Sequence, residues 1–435
     1  MIELDLSAGI AETVAVLRAL APPAADVRAV VSEIVADVRA RGDVAVRERT
    51  ARLDKVDLPE DYAVPERELE AALAGLSQPV REGLELAETN IRSYHEREAA
   101  SAWRTSLTQG QVVGQQVVPV AAAGLYVPGG LADYPSSVLM TAIPAQVAGC
   151  ERVVVCSPPR SGGGVAPGVA AACRLLGVKA VYPVGGAQAV AAMALGTRCV
   201  PRCDVIAGPG NAYVTEAKRQ LVGEVAIDGL AGPSEVVVVA EAGADAGWLA
   251  ADLLAQAEHG SGAMAALVDI GGALREPVTA AVDRLAAELG MDASSIAVLD
   301  CPDRPTALAF VNAFAPEHLE LHTGDAEELL AAVQNAGAVF LGPFAATAFA
   351  DYVAGTNHVL PTGGAARFGQ GLSATHFQKR MAVVSLDEAA ARALAPAAAA
   401  LAHEEGLLAH ARSATLRAGA TQTPCAPHGD AARSG

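Results

Sequence analysis

Four stretches of this chain set a histidine close to an acid or an amide: Gln256-Ala257-Glu258-His259, Pro316-Glu317-His318, the run from Asp351 to His358, and the run from Glu405 to His410. The chain has nine histidines, and four of them fall here, one in each stretch. Imidazole nitrogens with carboxylate and amide oxygens form a borderline donor set that suits zinc, and an imidazole titrates close enough to neutrality to carry protons. A divalent metal beside a proton carrier is what oxidation of a polar alcohol needs.

Each stretch also has a plainer reading. A helix over Asp245–His259 puts Gln256 and His259, three apart, on one face near its C-terminus. They can bind one ion together, or His259 can pair with a backbone carbonyl at the helix end. Neighbours in a regular strand face opposite ways, so Glu317 and His318 share a site only if Pro316 bends the chain. In that case the imidazole is a base and the carboxylate can activate water; otherwise they are a turn acid and a surface histidine. His358 sits in the apolar loop Asn357-His358-Val359-Leu360-Pro361, an odd place for a merely solvated side chain. Glu405 and His410 lie about 140° apart on an ideal helix, and Gly406 is placed to break it. If the stretches converge, Gln256, His259, Asp351 and His410 supply two nitrogens and two oxygens, a set that suits zinc with room for substrate.

The elements that must position these groups are legible in outline. Val27, Val30, Val31, Ile34, Val35 and Val38 recur at helical spacing and stop at Gly42, and residues 1 to about 110 read as helical. From Val112 onward, apolar runs predict strands at Val117–Ala122, Arg152–Cys156, Ala180–Pro183, Asp204–Ala207, Glu235–Ala240, Ala265–Ile270, Ile296–Leu299 and Ala338–Leu341. Ala-rich helical runs separate most of them, as in βαβ units with a parallel sheet. Gly-rich turns follow several strands, at Gly124–Gly130, Val184–Gln188 and Gly208–Asn211. None is a G-x-G-x-x-G, so a phosphate cradle and ordinary tight turns are both open readings.

Bulk properties narrow the class. A hydrophobic fraction of 52% over 435 residues implies a globular α/β protein of more than one domain. A net charge of −18 argues against nucleic acid and anionic membrane surfaces as partners. Seven cysteines with no C-x-x-C pair predict reduced thiols and a cytoplasmic protein; Cys199 and Cys203 lack the second pair a zinc module needs. Neither a signal peptide nor a membrane span is expected.

Together the motifs resemble the histidinol dehydrogenase family. The resemblance rests on Ile227–Glu235 (IDGLAGPSE) with the valine run after it, Asp252–His259 (DLLAQAEH), Tyr134–Met140, Ala315–Leu319 and Gly355–Thr362, and it covers roughly residues 25 to 417. It implies an NAD-dependent oxidation of L-histidinol through L-histidinaldehyde to L-histidine, the last two steps of histidine biosynthesis, with two NAD turned over per substrate. It implies one zinc per site, held by Gln256, His259, Asp351 and His410, and a catalytic pair, His318 as general base and Glu317 activating water. Ser234, His358 and Glu405 look like substrate contacts, alongside Gln256, His259, His318, Asp351 and His410; Tyr126, Gln188 and Asn211 look like NAD contacts. The implied architecture is two incomplete Rossmann-like α/β domains, at 112–232 (NAD side) and 233–379 (metal and catalytic side). A helical segment at 1–111 precedes them, and a helical segment at 380–419 reaches the partner of an intertwined homodimer with shared sites. Residues 420–435 are expected to be a disordered tail. The chain departs from the family at Ala346 and Ala350, where members often carry Pro and Gly, and at His376, where an acid is common. A thioester route through cysteine, a relative acting on another alcohol such as a sulfonated diol, and a metal-binding protein without turnover are the competing readings.

Overall fold

The computed structural model describes residues 1–20, 26–129, 133–260 and 262–419; the tail at 420–435 lies outside them. Valine-rich runs that are buried along their length, such as Glu235–Glu241 and Met264–Ile270, can only be strands covered on both faces. They form a six-stranded, wholly parallel sheet in the order Ile2–Asp5, Ile296–Cys301, Met264–Ile270, Glu235–Glu241, His318–His322, Ala338–Leu341. Alternation along each strand sorts side chains between two cores. Val236 and Val238 pack with Leu249, Leu253, Val278 and Val282 of the helices Ala246–Ala257 and Arg275–Leu289. Val237 and Val239 pack with Leu17, Phe310 and Phe314 on the other face.

A second parallel sheet of five strands runs Ala180–Pro183, Arg152–Ser157, Ala122–Tyr126, Val205–Ala207, Ala226–Ile227. Its faces are covered by the helices Arg28–Arg41, Gly186–Leu195 and Ala212–Leu221, and by Gln78–Glu98, Pro135–Val147 and Pro167–Leu175. The chain reverses its direction of travel through this sheet beside Ala122–Tyr126, which makes a crevice at the carboxyl ends of Ala122–Tyr126 and Val205–Ala207. Both sheets belong to one compact unit, Met1–Ala99 with Pro119–Gln378. A smaller unit, Ala100–Val118 with the chain from Lys379 onward, holds the helices Glu388–Glu404 and Leu408–Ala418.

The expectation of two incomplete Rossmann-like α/β layers with helical additions is met. Three local expectations are corrected. The predicted strand Val117–Ala122 is instead the end of one strand and the start of another, because Pro119 has no N–H to continue a ladder. The first of these, Val112–Pro119, pairs antiparallel with Trp103–Ser106 and shares a three-stranded sheet with Gln378–Ser385. The N-terminal region is helical apart from Trp103–Ser106 and from Ile2–Asp5, which extends the six-stranded sheet beside Ile296–Cys301.

Candidate active site

A cavity of about 900 Å³ lies in the larger unit, at the carboxyl edge of the five-stranded sheet and the amino edge of the six-stranded one. Tyr126, Gln188, Asn211, Ser234, Gln256, His259, Glu317, His318, Asp351 and His358 all line it. Glu405 and His410 belong to the smaller unit, where both are exposed.

The bend that Glu317 and His318 require is made by Ala315, which caps the helix Arg304–Phe314 in the left-handed conformation (φ 53°) ahead of Pro316. His318 is then the first residue of its strand, and both side chains are 5% exposed. Glu317 Oε2 accepts hydrogen bonds from Ser234 Oγ (2.6 Å) and Glu235 N (2.9 Å) and lies 3.5 Å from His318 Nδ1. Burial raises the Glu317 pKa against the opposing pull of His318 and these donors, which moves the carboxyl toward the range useful for a base at neutral pH.

Three imidazoles are oriented in the same manner. Nδ1 of His318 lies 3.1 Å from Glu235 O, Nδ1 of His358 lies 3.1 Å from Asp351 O, and Nδ1 of His259 lies 3.2 Å from Ala255 O. A carbonyl only accepts, so each Nδ1 carries the proton and each Nε2 keeps a lone pair. For His259 the two readings are therefore compatible: the carbonyl pairing leaves the Nε2 lone pair free. Burial lowers the pKa of His358 and favours the neutral ring.

Gln256 is 3% exposed, and its Nε2 has no hydrogen-bond partner. A buried amide left open in this way costs roughly 1–3 kcal/mol unless a ligand completes it. The amide nitrogen is only a donor, so it is the amide oxygen of Gln256, with Nε2 of His259 and the Asp351 carboxylate in the same wall, that makes a donor set suited to zinc. Asp351 sits in the helix Thr347–Tyr352; Ala346, the family departure, is its N-cap in an extended conformation and supplies no side-chain cap. His376 performs the task an acid would: its Nδ1 accepts from Ser373 N at 3.1 Å.

At the other end, the groups suit a dinucleotide. Gly208 (φ 113°) approaches Tyr126 so closely that a Cβ would sit 2.0 Å from the Tyr126 carbonyl oxygen. Lys218 and Asp228, both buried, hold this turn through Gly208 O (2.5 Å) and Gly208 N (2.7 Å). The N-termini of Gly186–Leu195 and Ala212–Leu221 open onto the cavity, an arrangement that favours phosphate. Tyr126 Oη accepts from Gly186 N (3.1 Å), and burial pushes the phenol up to about 12, so it stays protonated. Gln188 Oε1 is buried without a partner, and the Asn211 carbonyl caps its helix through Tyr213 N and Val214 N.

Two lining residues escaped the sequence reading. Asp54, just after the helix Asp43–Leu53, stands in the wall with Val30, Ile34 and Leu53, and its Oδ2 has no partner. No motif marks it, because it comes from a segment far upstream of its neighbours in space. Asp252 lies one helical turn before Gln256, a spacing that did signal a shared face. Cys199 and Cys203 form no metal site with other described residues; their thiols lie 3.3 Å from Glu60 O and 3.5 Å from Pro201 O.

Comparison with known proteins places this geometry. The sequence model described as histidinol dehydrogenase matches residues 21–418. Histidinol dehydrogenase of Cereibacter sphaeroides is 50% identical over 400 residues, covering 90% of this chain and 92% of that protein. That of Rhizobium meliloti is 46% identical, again over 90% and 92%. The crystal structure of histidinol dehydrogenase from Elizabethkingia anophelis superposes with a TM-score of 0.88 at 33% identity, covering 91% of this chain and 93% of that one.

Proposed function

The chain belongs to the histidinol dehydrogenase family, and on that premise we propose that it oxidises L-histidinol through L-histidinaldehyde to L-histidine, consuming two NAD per substrate. The observation that carries this reading is the pairing of Glu317 and His318 in one cavity, each held from the strand Glu235–Glu241 or the residue before it. Gln256, His259 and Asp351, with the partner subunit's His410, would hold one zinc ion, which when bound grips the imidazole and amine of the substrate. Tyr126, Gln188 and Asn211 would hold NAD, which when bound would supply the hydride acceptor for each oxidation.

His318 Nε2 takes the hydroxyl proton as the alcohol becomes an aldehyde. Both hydrogen bonds to Glu317 use Oε2, which leaves Oε1 to take a proton from water as that water adds to the aldehyde. The resulting gem-diol gives its hydroxyl proton to His318 in turn. Ser234, His358 and the partner subunit's Glu405 position the substrate. Asp54, in an apolar wall, suits the ribose diol of the adenosine half.

The smaller unit's exposure supports an intertwined homodimer. Its helices bury only Ala390, Ala395, Ala399, Ala402 and Ala411 and leave Leu401 (66% exposed) and Leu408 (67%) outward. The larger unit exposes Phe344 (78%) and Phe368 (89%). In this reading 112–232 serves NAD, 233–379 serves metal and catalysis, and 380–419 completes the neighbour's site. Among the described residues no helix is long and apolar enough to cross a membrane. All six described cysteines are unpaired, in keeping with a cytoplasmic protein.

The test is NADH formed per L-histidinol consumed by zinc-loaded protein, with a chelated control. Two NADH, lost on chelation and restored by zinc, is the expected result. One would remove the hydration role of Glu317, and none, in folded dimer, would point to another alcohol.

A further inference from the structure

A second polar cluster adjoins the catalytic wall, with Asp252 and Thr347 at the cavity's edge, and the proposed reaction does not use it. His318, Glu320 and His322 alternate along one strand, so they project from one face of the sheet. Glu320 is 1% exposed and His322 6%. Glu320 Oε1 accepts from Thr347 N (2.9 Å) and Thr347 Oγ1 (2.7 Å), and Oε2 lies 3.3 Å from His322 Nε2. Asp252 reaches the same point from the helix Ala246–Ala257: one ligand-type atom from each of Asp252, Glu320 and His322 lies within 4.8 Å of the others.

Two carboxyls this close in a buried setting require either a proton or a cation between them. The pattern of partners decides. No polar atom of these side chains is among the buried atoms left without a hydrogen bond, whereas the Gln256 amide is. Glu320 is already engaged by Thr347 and His322. Burial, reinforced by the Glu320 charge, pushes the Asp252 carboxyl up to about 7, in keeping with a retained proton.

We propose that Glu320, which holds Thr347 by backbone and side chain and stands beside Asp252, is a clasp that sets the zinc-ligand helices against the catalytic strand, and is the positioning residue for Asp351. Asp252 lies on the helix that leads to Gln256 and His259. Glu320 is two residues along the strand that begins with His318. Thr347, which Glu320 holds by backbone and side chain, opens the short helix carrying Asp351. Glu320 therefore ties the strand of the base to the helix of Asp351, with half-buried Asp252 of the third element beside it. The inference rests on the zinc assignment made above.

The test is Zn²⁺ affinity of the full-length metal-free protein, measured by competition with a chelator, beside steady-state kinetics and thermal unfolding. Glu320→Ala and Thr347→Val should each weaken zinc about 10- to 100-fold, the usual cost of losing an outer-shell partner. Thr347→Ser should restore the affinity, because it keeps both donors. Asp252→Asn keeps a polar group beside Glu320 and should hold zinc far better than Asp252→Ala. These variants should raise KM for histidinol through the metal while wild-type kcat returns at saturating zinc. Unchanged zinc affinity in both Glu320→Ala and Thr347→Val would overturn the clasp. So would a second equivalent of zinc in the wild type that is lost in His322→Ala, which would make the cluster a cation site. Wild-type protein that binds no zinc at all would instead sink the zinc assignment, and the clasp with it.

Discussion

The Nδ1–H of His318 donates to the carbonyl of Glu235 across 3.1 Å, and the next N–H along, that of Glu235 itself, donates to Glu317. One residue's backbone thus fixes the tautomer of the base and the position of the acid beside it. Glu235 is in turn paired with Arg18, which also donates to Phe314 O at 2.6 Å, just ahead of the bend at Ala315.

If Nε2 of His318 is the base in both oxidations, His318→Asn should lower kcat for histidinol and for histidinaldehyde alike, by about 10²- to 10⁴-fold. Zinc content should not change. Glu317→Gln should spare the first oxidation and slow the second. Single-turnover NADH traces separate the two; equal slowing of both steps by Glu317→Gln would assign it a different role.

Ser234 holds Glu317 at 2.6 Å and opposes the upward push of burial on its pKa. Removing a hydrogen bond that favours the charged carboxylate moves its pKa further upward. Glu317 acts as a base only when ionised, so in Ser234→Ala the acid limb of histidinaldehyde oxidation should move to higher pH. A pH–rate profile with the aldehyde as substrate reads this shift, and an unmoved limb would detach Ser234 from Glu317 function.

Asp54 puts an unpartnered carboxylate oxygen beside the apolar Val30, Ile34 and Leu53. A carboxylate there binds a ribose diol and repels a 2′-phosphate. Asp54→Asn should raise KM for NAD about 10-fold or more while narrowing the preference for NAD over NADP. The KM for histidinol should stay put. Cofactor kinetics with both dinucleotides decide the matter.

All six described thiols have raised pKa values because they are desolvated, Cys150 to about 11 and Cys203 to about 12, and none lines the cavity. A protonated, sheltered thiol is a poor nucleophile. Alkylation of the folded protein at pH 7 should leave NAD reduction intact. Activity lost in step with modification of a single cysteine would revive the thioester route.

Asp252 also carries a stability signature. Its folded pKa is raised from 3.8 to about 7, chiefly by burial, so the folded state keeps a proton that the unfolded chain has released. Its contribution is present below the unfolded value and declines as pH rises from about 4 to about 7, levelling off above. Because Asp252 is only half-buried, screening brings the expected loss to roughly 1–2 kcal/mol. Asp252→Asn should lack this slope, and denaturant unfolding of both proteins at pH 5 and pH 8 measures it.

Much of this protein is local and therefore legible in the chain. Helical periodicity from Val27 to Val38, buried runs such as Glu235–Ala240, and Gly406 as a helix breaker depend on neighbours within a turn or a strand, and each is found where the residues indicate. The motifs holding Gln256, His259, Glu317, His318, Asp351 and His358 were readable as well, since spacing and residue type carry donor chemistry. What the sequence left open was whether adjacent Glu317 and His318 could face one space, and whether His259 was a ligand or a carbonyl partner. The first was answered by the left-handed Ala315, and for His259 the structure shows the carbonyl contact at Nδ1 with Nε2 left free; both depend on chain bends and partners that spacing does not encode. Asp54 and the Asp252–Glu320–Thr347 cluster were invisible for a related reason. Their neighbours in space come from distant segments, and only the parallel sheet, by stacking distant strands and the helices upon them, brings Thr347 within hydrogen-bonding distance of Glu320 and sets Asp252 beside it.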